Sequence, residues 1–577
     1  MANGRTAESL AGESPTLGAV LGAAYVRGLR SSGVACTAKH FAAYTQETNR
    51  GLEGSGFVYS VDADERTMFE VYYAPVEAMI ADGLAGVMCS YNRVNGTPAC
   101  AAPELLERDL RSRLNFSGWV LSDWWAVSSP CAASRGLDQN MPGNDGSFDA
   151  LHVLGANTDG EQTLRTMATR VLRGMLAAGD SPLGALAAPT CAVGCDCGPT
   201  LREANATSAA HVALAREVAS SAAVLLKNEG GVLPLTAGIQ RVALIGAACN
   251  ATHDLGRLLA WYAEGDYYVV GGSGRVLSLG PTTLLAALTA RGMQLSLSLS
   301  DDLDAATSAM HTADVAIVCT GAVARESSDR STLELDQHAL LTGLATHATA
   351  GAESSHVPLV VVAMAPGPFV TSPWAMRAAA VLVMFFSGQE TAPAATEILL
   401  GDVNPSGRLP VTLPLGDSAG ASICRVERCA FEEGLGVGWR GLHEDAVAYP
   451  FGFGLSYAQF NYSWVSAPAV QRDPDGELSV SASVAVGNTA VVAGREVVQL
   501  YLAFPPAANE PPLVLRAFRR TALLEPGGAA ERIDFVLREK DVSTWQPGVG
   551  WVMARGNFSL VVGASSRDER LRAVFVL

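Results

Sequence analysis

Nowhere in the 577 residues does an apolar run reach eighteen without a polar group, glycine or proline interrupting it, so no transmembrane helix is expected. Basic residues are also in short supply. The 40 Lys and Arg stand against 57 Asp and Glu, a formal net charge of −17. A chain so acidic makes a poor partner for nucleic acid, whose binding depends on cationic side chains displacing counterions. The opening stretch M-A-N-G-R-T-A-E-S-L has no apolar core of a signal peptide. Paired CxxC motifs and internal repeats are absent as well. Seven of the eleven cysteines cluster instead as Cys89 with Cys100, Cys191 with Cys195 and Cys197, and Cys424 with Cys429, in Gly/Pro-rich surroundings. This spacing favours loop-closing disulfides over zinc, and neither a metal nor a cofactor is expected.

What is present is a folded, multidomain chain. With 49% hydrophobic and 17% charged residues it is too apolar for disorder. At about 150 residues per domain its length suggests three or four domains. Up to residue 187, helical patterns alternate with short apolar runs. L-G-A-V-L-G-A-A-Y-V-R-G-L leads to G-V-A-C-T-A, then R-T-M-F-E-V-Y-Y-A-P-V-E-A-M-I to A-G-V-M-C-S-Y, then P-E-L-L-E-R-D-L-R-S-R-L to G-W-V-L-S-D. Such alternation predicts parallel α/β units. Residues 188–206 read as a linker rich in Ala, Pro, Cys and Gly. Continuous apolar runs such as R-V-A-L-I-G, D-V-A-I-V-C-T and V-P-L-V-V-V-A-M place a second α/β domain at 207–415, its sheet covered on both faces. After a connecting segment at 416–459, alternating strands from 460 to 577 predict a β-sandwich of the immunoglobulin or fibronectin type III kind.

The candidate chemistry sits where the first domain's strands end. Lys39 and His40, Ser90 and Tyr91, and Asp123 each close an apolar run, and ligands bind at the carboxyl ends of parallel strands. Taken alone, Asp123 reads as a helix cap. In the company of a cation, an imidazole, a phenol and Trp124 it reads as part of a sugar site, where an aromatic face meets the ring's C–H face. One carboxylate near the anomeric carbon then serves as nucleophile and a second, protonated one releases the leaving group. Spacing alone does not find the second, because Glu47 and Asp138 both read as structural.

The stretch G-V-M-C-S-Y-N-R-V-N-G-T-P-A-C, followed by G-W-V-L-S-D-W-W-A, resembles the nucleophile region of glycoside hydrolase family 3, the family of many β-glucosidases and β-xylosidases. A-K-H-F-A-A-Y-T-Q-E-T-N-R, A-V-L-L-K-N-E-G-G-V-L-P-L, G-G-S-G-R-V, S-G-Q-E, G-D-V-N-P-S-G-R-L-P-V-T-L-P and Y-P-F-G-F-G-L-S-Y are similar to further family motifs, in the family's order. The tail, with E-V-V-Q-L-Y-L and L-L-E-P-G-G, resembles its fibronectin-like domain. The resemblance covers nearly the whole chain. It implies a TIM-type α/β barrel, an α/β sandwich and a fibronectin type III-like β-sandwich. It implies Asp123 as nucleophile, and Lys39, His40 and Arg5 as hydrogen-bonding partners of sugar hydroxyls. Met88, Tyr91 and Trp124 would line the same subsite. In A-R-E-S-S-D-R it nominates Glu326 as acid/base, with Glu334 as a rival and Asp329 and Arg330 holding the loop.

The activity this implies is retaining removal of terminal β-D-glucosyl residues from oligosaccharides or glucosides, and retention asks for carboxyl groups about 5 to 5.5 Å apart. The motif S-D-W and the stretch G-G-S-G-R-V resemble the β-glucosidase branch. A β-xylosidase or arabinosidase of the same family is one alternative. Another is an inactive sugar-binding protein, because about 187 residues precede the linker where such a barrel needs roughly 250. The barrel is therefore expected to be partial, through loss of its amino-terminal part. Six Asn-x-Ser/Thr sequons, at Asn95, Asn115, Asn205, Asn250, Asn461 and Asn557, join the cysteines in pointing to a glycoprotein that is secreted or vacuolar. The expected partners are a β-linked oligosaccharide or glucoside and, as assembly, a homodimer.

Overall fold

Ser14 starts the first long helix. Its side chain accepts the backbone N–H of Leu17 at 3.3 Å and Pro15 follows at the first helical position, so α1 runs over Pro15–Ser31. This is part of a computed structural model that describes residues 3–51, 57–127, 129–144, 146, 148–177, 206–252, 265–276, 280–350, 357–419, 422–472, 474 and 476–577. The linker expected at 188–206 falls outside these residues except for its last position, and so do Cys191, Cys195, Cys197 and Asn205. The chain divides into two compact units: Ser14–His211 with Cys424–Gly434, and Met1–Glu13 with Val212–Ile423 and Leu435–Leu577.

In the first unit α1 leads to β1 (Thr37–Phe41), α2 (Ala74–Ala81) to β2 (Gly86–Cys89), and a wide-turned helix at Glu104–Arg113 to β3 (Trp119–Ser122). The strands pair in parallel in the order β1-β2-β3, with Lys39 opposite Met88 and Met88 opposite Leu121. Beyond β3 the parallel pairing continues through a bridge from Leu121 to Gln139. Helices and strands thus alternate as the periodicity implies. The helix expected through R-T-M-F-E-V-Y-Y-A-P-V-E-A-M-I is interrupted, however. A π-turn over Met68–Tyr72 precedes α2, because Pro75 has no N–H to donate and its ring crowds the carbonyl four residues back. At the contact of α1 with α2, a Cβ on Gly22 would meet Met79 Sδ at 3.0 Å, so a small residue is required there.

The second unit is built on a six-stranded sheet: β4 (Val224–Asn228), β5 (Arg241–Ile245), β6 (Gln294–Ser298), β7 (Val315–Gly321), β8 (Leu359–Met364) and β9 (Ala380–Val383), in the order β4-β9-β8-β7-β5-β6. All neighbours are parallel except β4, which runs antiparallel to β9 at one edge. Every residue of β7 and β8 is buried, as strands packed on both faces must be. Their side chains enter two cores. One is centred on Ile245, Val318, Val361 and Phe369, the other on Leu244, Ile317, Val360 and Leu382. Each such side chain contributes about 1.5 to 3 kcal/mol by leaving water.

The carboxyl-terminal part of this unit is a sandwich of seven strands. β10 (Phe460–Arg472), β11 (Leu478–Asn488) and β14 (Glu531–Arg538) form one sheet, and β12 (Val497–Ala503), β13 (Val514–Arg520), β15 (Asn557–Ser565) and β16 (Asp568–Val576) the other. Alternate residues of β11 and β14 fill its core with Val480, Val484, Ile533 and Phe535.

Among the described residues no helix is long and apolar enough to cross a membrane, and no cluster of three or more His, Cys, Asp or Glu is placed to hold a metal ion. Disulfides join Cys89 to Cys100, Cys424 to Cys429, and Cys249 to Cys319, the last pair carrying no spacing signal in the sequence.

Candidate active site

Parallel pairing in register brings three strand ends to one edge of the first unit. β1 carries Lys39 and His40 in its last residues, Tyr91 lies two residues past β2, and Asp123 directly follows β3. Asp123 is only 6% exposed. Its Oδ1 accepts the backbone N–H of Trp124 at 2.8 Å, and His40 Nε2 faces its Oδ2 at 3.2 Å. Burial alone would push this carboxyl up; the contacts from His40, the Trp124 N–H and the Tyr91 hydroxyl outweigh it and hold the group below the ordinary carboxylate value. The side chain is therefore an anion at neutral pH, pinned by one oxygen, with the other oxygen turned to an imidazole.

A second layer fixes these partners. The Tyr44 ring packs edge-on to His40 with centroids 5.0 Å apart, and lies 6.4 Å from Tyr91. Arg50 donates to the Tyr44 hydroxyl at 3.1 Å and to Glu47 Oε2 at 3.0 Å, and its guanidinium stands 4.8 Å from the Tyr91 ring centroid. The Arg50 and Glu47 side chains are wholly buried. Neither Tyr44 nor Arg50 is singled out by strand position. The available signal is the i, i+3 pair inside Q-E-T-N-R. Lys39 is exposed, Met88 and Trp124 are half-buried, and Trp125, next along, is 49% exposed.

Glu326 and Arg5 belong to the other unit. Glu326 lies on the loop that follows β7 and is 4% exposed, whereas Glu334 is exposed beside His338. The loop is held against G-G-S-G-R-V: Glu326 N–H donates to Gly271 O at 3.0 Å, and Ser273 N–H to Glu326 Oε2 at 2.8 Å. Gly272 has φ +97°, and a Cβ there would lie 2.3 Å from that of Glu326, so both conformation and space demand glycine. Arg330 donates to Pro368 O at 2.9 Å and Glu334 O at 3.0 Å, and Asp329 accepts the Gly4 N–H at 3.2 Å. Arg5, which the resemblance implies as a partner of sugar hydroxyls, is held beside two carboxylates. Its Nε and Nη2 bind Glu8 at 2.9 and 2.7 Å, Nη2 also reaches Ser273 Oγ at 3.1 Å, and Nη1 faces Glu326 Oε1 at 3.3 Å. Glu8 and Ser273 thus pack with Arg5 around Glu326, Ser273 from within the G-G-S-G-R-V stretch.

The N-terminal domain of glycosyl hydrolase family 3 matches residues 1–139, its C-terminal domain residues 223–457, and a fibronectin type III-like domain residues 496–566. The chain is 33% identical to probable β-glucosidase L of Emericella nidulans, over 98% of its own length and 80% of that protein's. It belongs to glycosyl hydrolase family 3. β-Glucosidase cel3A of Pyricularia oryzae is 31% identical over 97% of this chain and 79% of its own. Among solved structures, β-D-glucoside glucohydrolase of Trichoderma reesei superposes with a TM-score of 0.83 at 28% identity, covering 98% of this chain and 82% of that one. β-Glucosidase D2-BGL of Chaetomella raphigera does so with 0.83 at 30%, over 98% and 83%. This family 3 glycoside hydrolase therefore combines the TIM-like, α/β-sandwich and fibronectin type III-like parts expected of it.

Proposed function

We propose that this family 3 enzyme is a retaining β-glucosidase, releasing terminal non-reducing β-D-glucosyl residues from oligosaccharides or glucosides, with Asp123 as nucleophile and Glu326 as acid/base. The observation that carries the reading is the state of Asp123: buried, ionised, held through one oxygen, and set among a histidine, two tyrosines and a tryptophan at the carboxyl ends of parallel strands. The β-glucosidase names of the relatives favour glucose over xylose or arabinose as glycone.

In the first step the Asp123 carboxylate attacks the anomeric carbon. The glycosidic C–O bond breaks as Glu326 passes its proton to the departing oxygen, leaving a glycosyl ester on Asp123. In the second, the Glu326 carboxylate takes a proton from water, whose oxygen attacks the same carbon and frees Asp123. Lys39, His40 and Arg5 serve as donors to the sugar hydroxyls, Met88 and Tyr91 line the subsite, and Trp124 packs on the ring. Division into a barrel at 1–187, a sandwich domain at 207–415 and a fibronectin-like domain at 460–577 accompanies this reading. So do secretion, glycosylation at the sequons and a homodimeric assembly; three disulfides among the described residues favour an oxidising compartment.

Hydrolysis of an aryl β-glucoside should fall by several orders of magnitude in Asp123→Asn, with retained β-configuration in the wild-type product by NMR. Glu326→Gln should slow poor leaving groups far more than 2,4-dinitrophenolate. Full activity in Asp123→Asn, or faster turnover of aryl xylosides or arabinosides than of glucosides, would overturn the assignment.

A further inference from the structure

β3 ends in a turn that does not suit a bulky residue at its third position. Ala126 N–H returns to Asp123 O at 3.2 Å, so Asp123, Trp124, Trp125 and Ala126 form a tight turn directly after the strand. Trp125 stands third in it with φ +59°, where a turn of this kind takes glycine or asparagine. For a side chain of this size the left-handed region is an outlier, because Cβ crowds the following carbonyl. The neighbours hold it there. Trp125 N–H donates to Met141 O at 2.8 Å, and Met141 N–H donates to the Ser122 hydroxyl at 2.9 Å.

The indole gains little burial in return. Trp374 is wholly buried, Trp439 stacks on Phe451 and Trp545 meets Trp551, whereas Trp125 alone among the described tryptophans is exposed. A strained backbone that carries an open aromatic ring marks a functional position. The turn begins at Asp123, at the carboxyl ends of the parallel strands, and Trp124 beside it is half-buried. The two tryptophans thus step outward from the carboxylate.

We propose that Trp125 is a specificity-determining residue, a platform on which the ring of the departing group, a second sugar or an aryl ring, stacks by its apolar face. The proposal rests on the role assigned to Asp123 above. In an enzyme that removes a terminal glucosyl unit, that unit lies at the nucleophile and the leaving group projects from it towards solvent. The inner tryptophan therefore falls to the glucosyl ring and the outer one to the leaving group. An open indole face favours cyclic leaving groups over alkyl ones, which present no face to it.

The test compares two substrates that share the glycone, a β-linked glucobiose and methyl β-glucoside, on the full chain. The ratio of their kcat/KM values should fall about tenfold in Trp125→Ala, chiefly through a higher KM for the disaccharide. Trp125→Phe, which keeps an aromatic face, should retain most of the ratio. Should Trp125→Ala not fold, Trp125→Gly, the residue the turn itself favours, takes its place with the same expectation. An unchanged ratio in the Ala or Gly variant, an equal fall on both substrates, or a ratio as low in Trp125→Phe as in Trp125→Ala would overturn the proposal. Failure of the underlying role reads differently: Asp123→Asn would then hydrolyse both substrates, whatever the Trp125 variants do.

Discussion

A carboxyl as deeply buried as Asp123 stays ionised only where its surroundings offset the lost hydration, and His40 is the largest of the groups that do so. Removing it should raise the carboxyl's pKa. Activity needs the anion and disappears as pH falls through that value, so the acid limb of kcat/KM in His40→Ala should move upward by about one pH unit. A limb that stays in place would mean that Tyr91 and the Trp124 N–H suffice. Gly272 makes a separate prediction. With φ +97° and Glu326 in the way, Gly272→Ala should displace the acid/base and lower kcat on poor leaving groups by about 10²-fold or more, while circular dichroism shows the fold retained. The strand-end placement of Asp123, Lys39 and His40 was legible because each closes an apolar run, a property of consecutive residues. Glu8, Ser273, Tyr44 and Arg50 were not, because what marks them is a contact with a group that neither strand position nor periodicity places beside them.

Among elements, the strands buried on both faces read directly from the sequence, and two of the edge strands did not. β7 and β8 are continuous apolar runs because both faces are covered. β6 reads Q-L-S-L-S at the sheet edge, half open to water, and leaves no such run. In the sandwich, β10 carries Pro468 and many exposed positions, which mask its length. The disulfide joining Cys249 to Cys319 is an element-scale link, tying the turn after β5 to the neighbouring β7. It closes a loop with a sequence separation of 70, against 5 for Cys424 with Cys429. Chain-entropy reasoning assigns about 4 kcal/mol to the first and about 2 to the second. Replacing Cys249 and Cys319 together by alanine should therefore lower the denaturant midpoint about twice as far as replacing Cys424 and Cys429. The reverse order would show that native-state strain, rather than loop closure, decides.

On the scale of the whole molecule, Glu13 links chemistry to stability. What Glu13 does depends on Thr412, whose N–H donates to Oε1 at 2.7 Å and whose hydroxyl donates to the same oxygen, and on nearby Arg440. Burial pushes this carboxyl up from 4.5 to about 7, the hydrogen bonds and Arg440 opposing the rise only in part. The folded chain thus holds a proton in a range where the unfolded chain has released it. The resulting contribution to stability is complete below about pH 4.5 and is lost as pH climbs toward about 7. Glu13→Gln resembles the protonated form at every pH. The melting temperature of wild type relative to this variant should decline between these limits and level off above them, and parallel curves would exclude Glu13 as the cause.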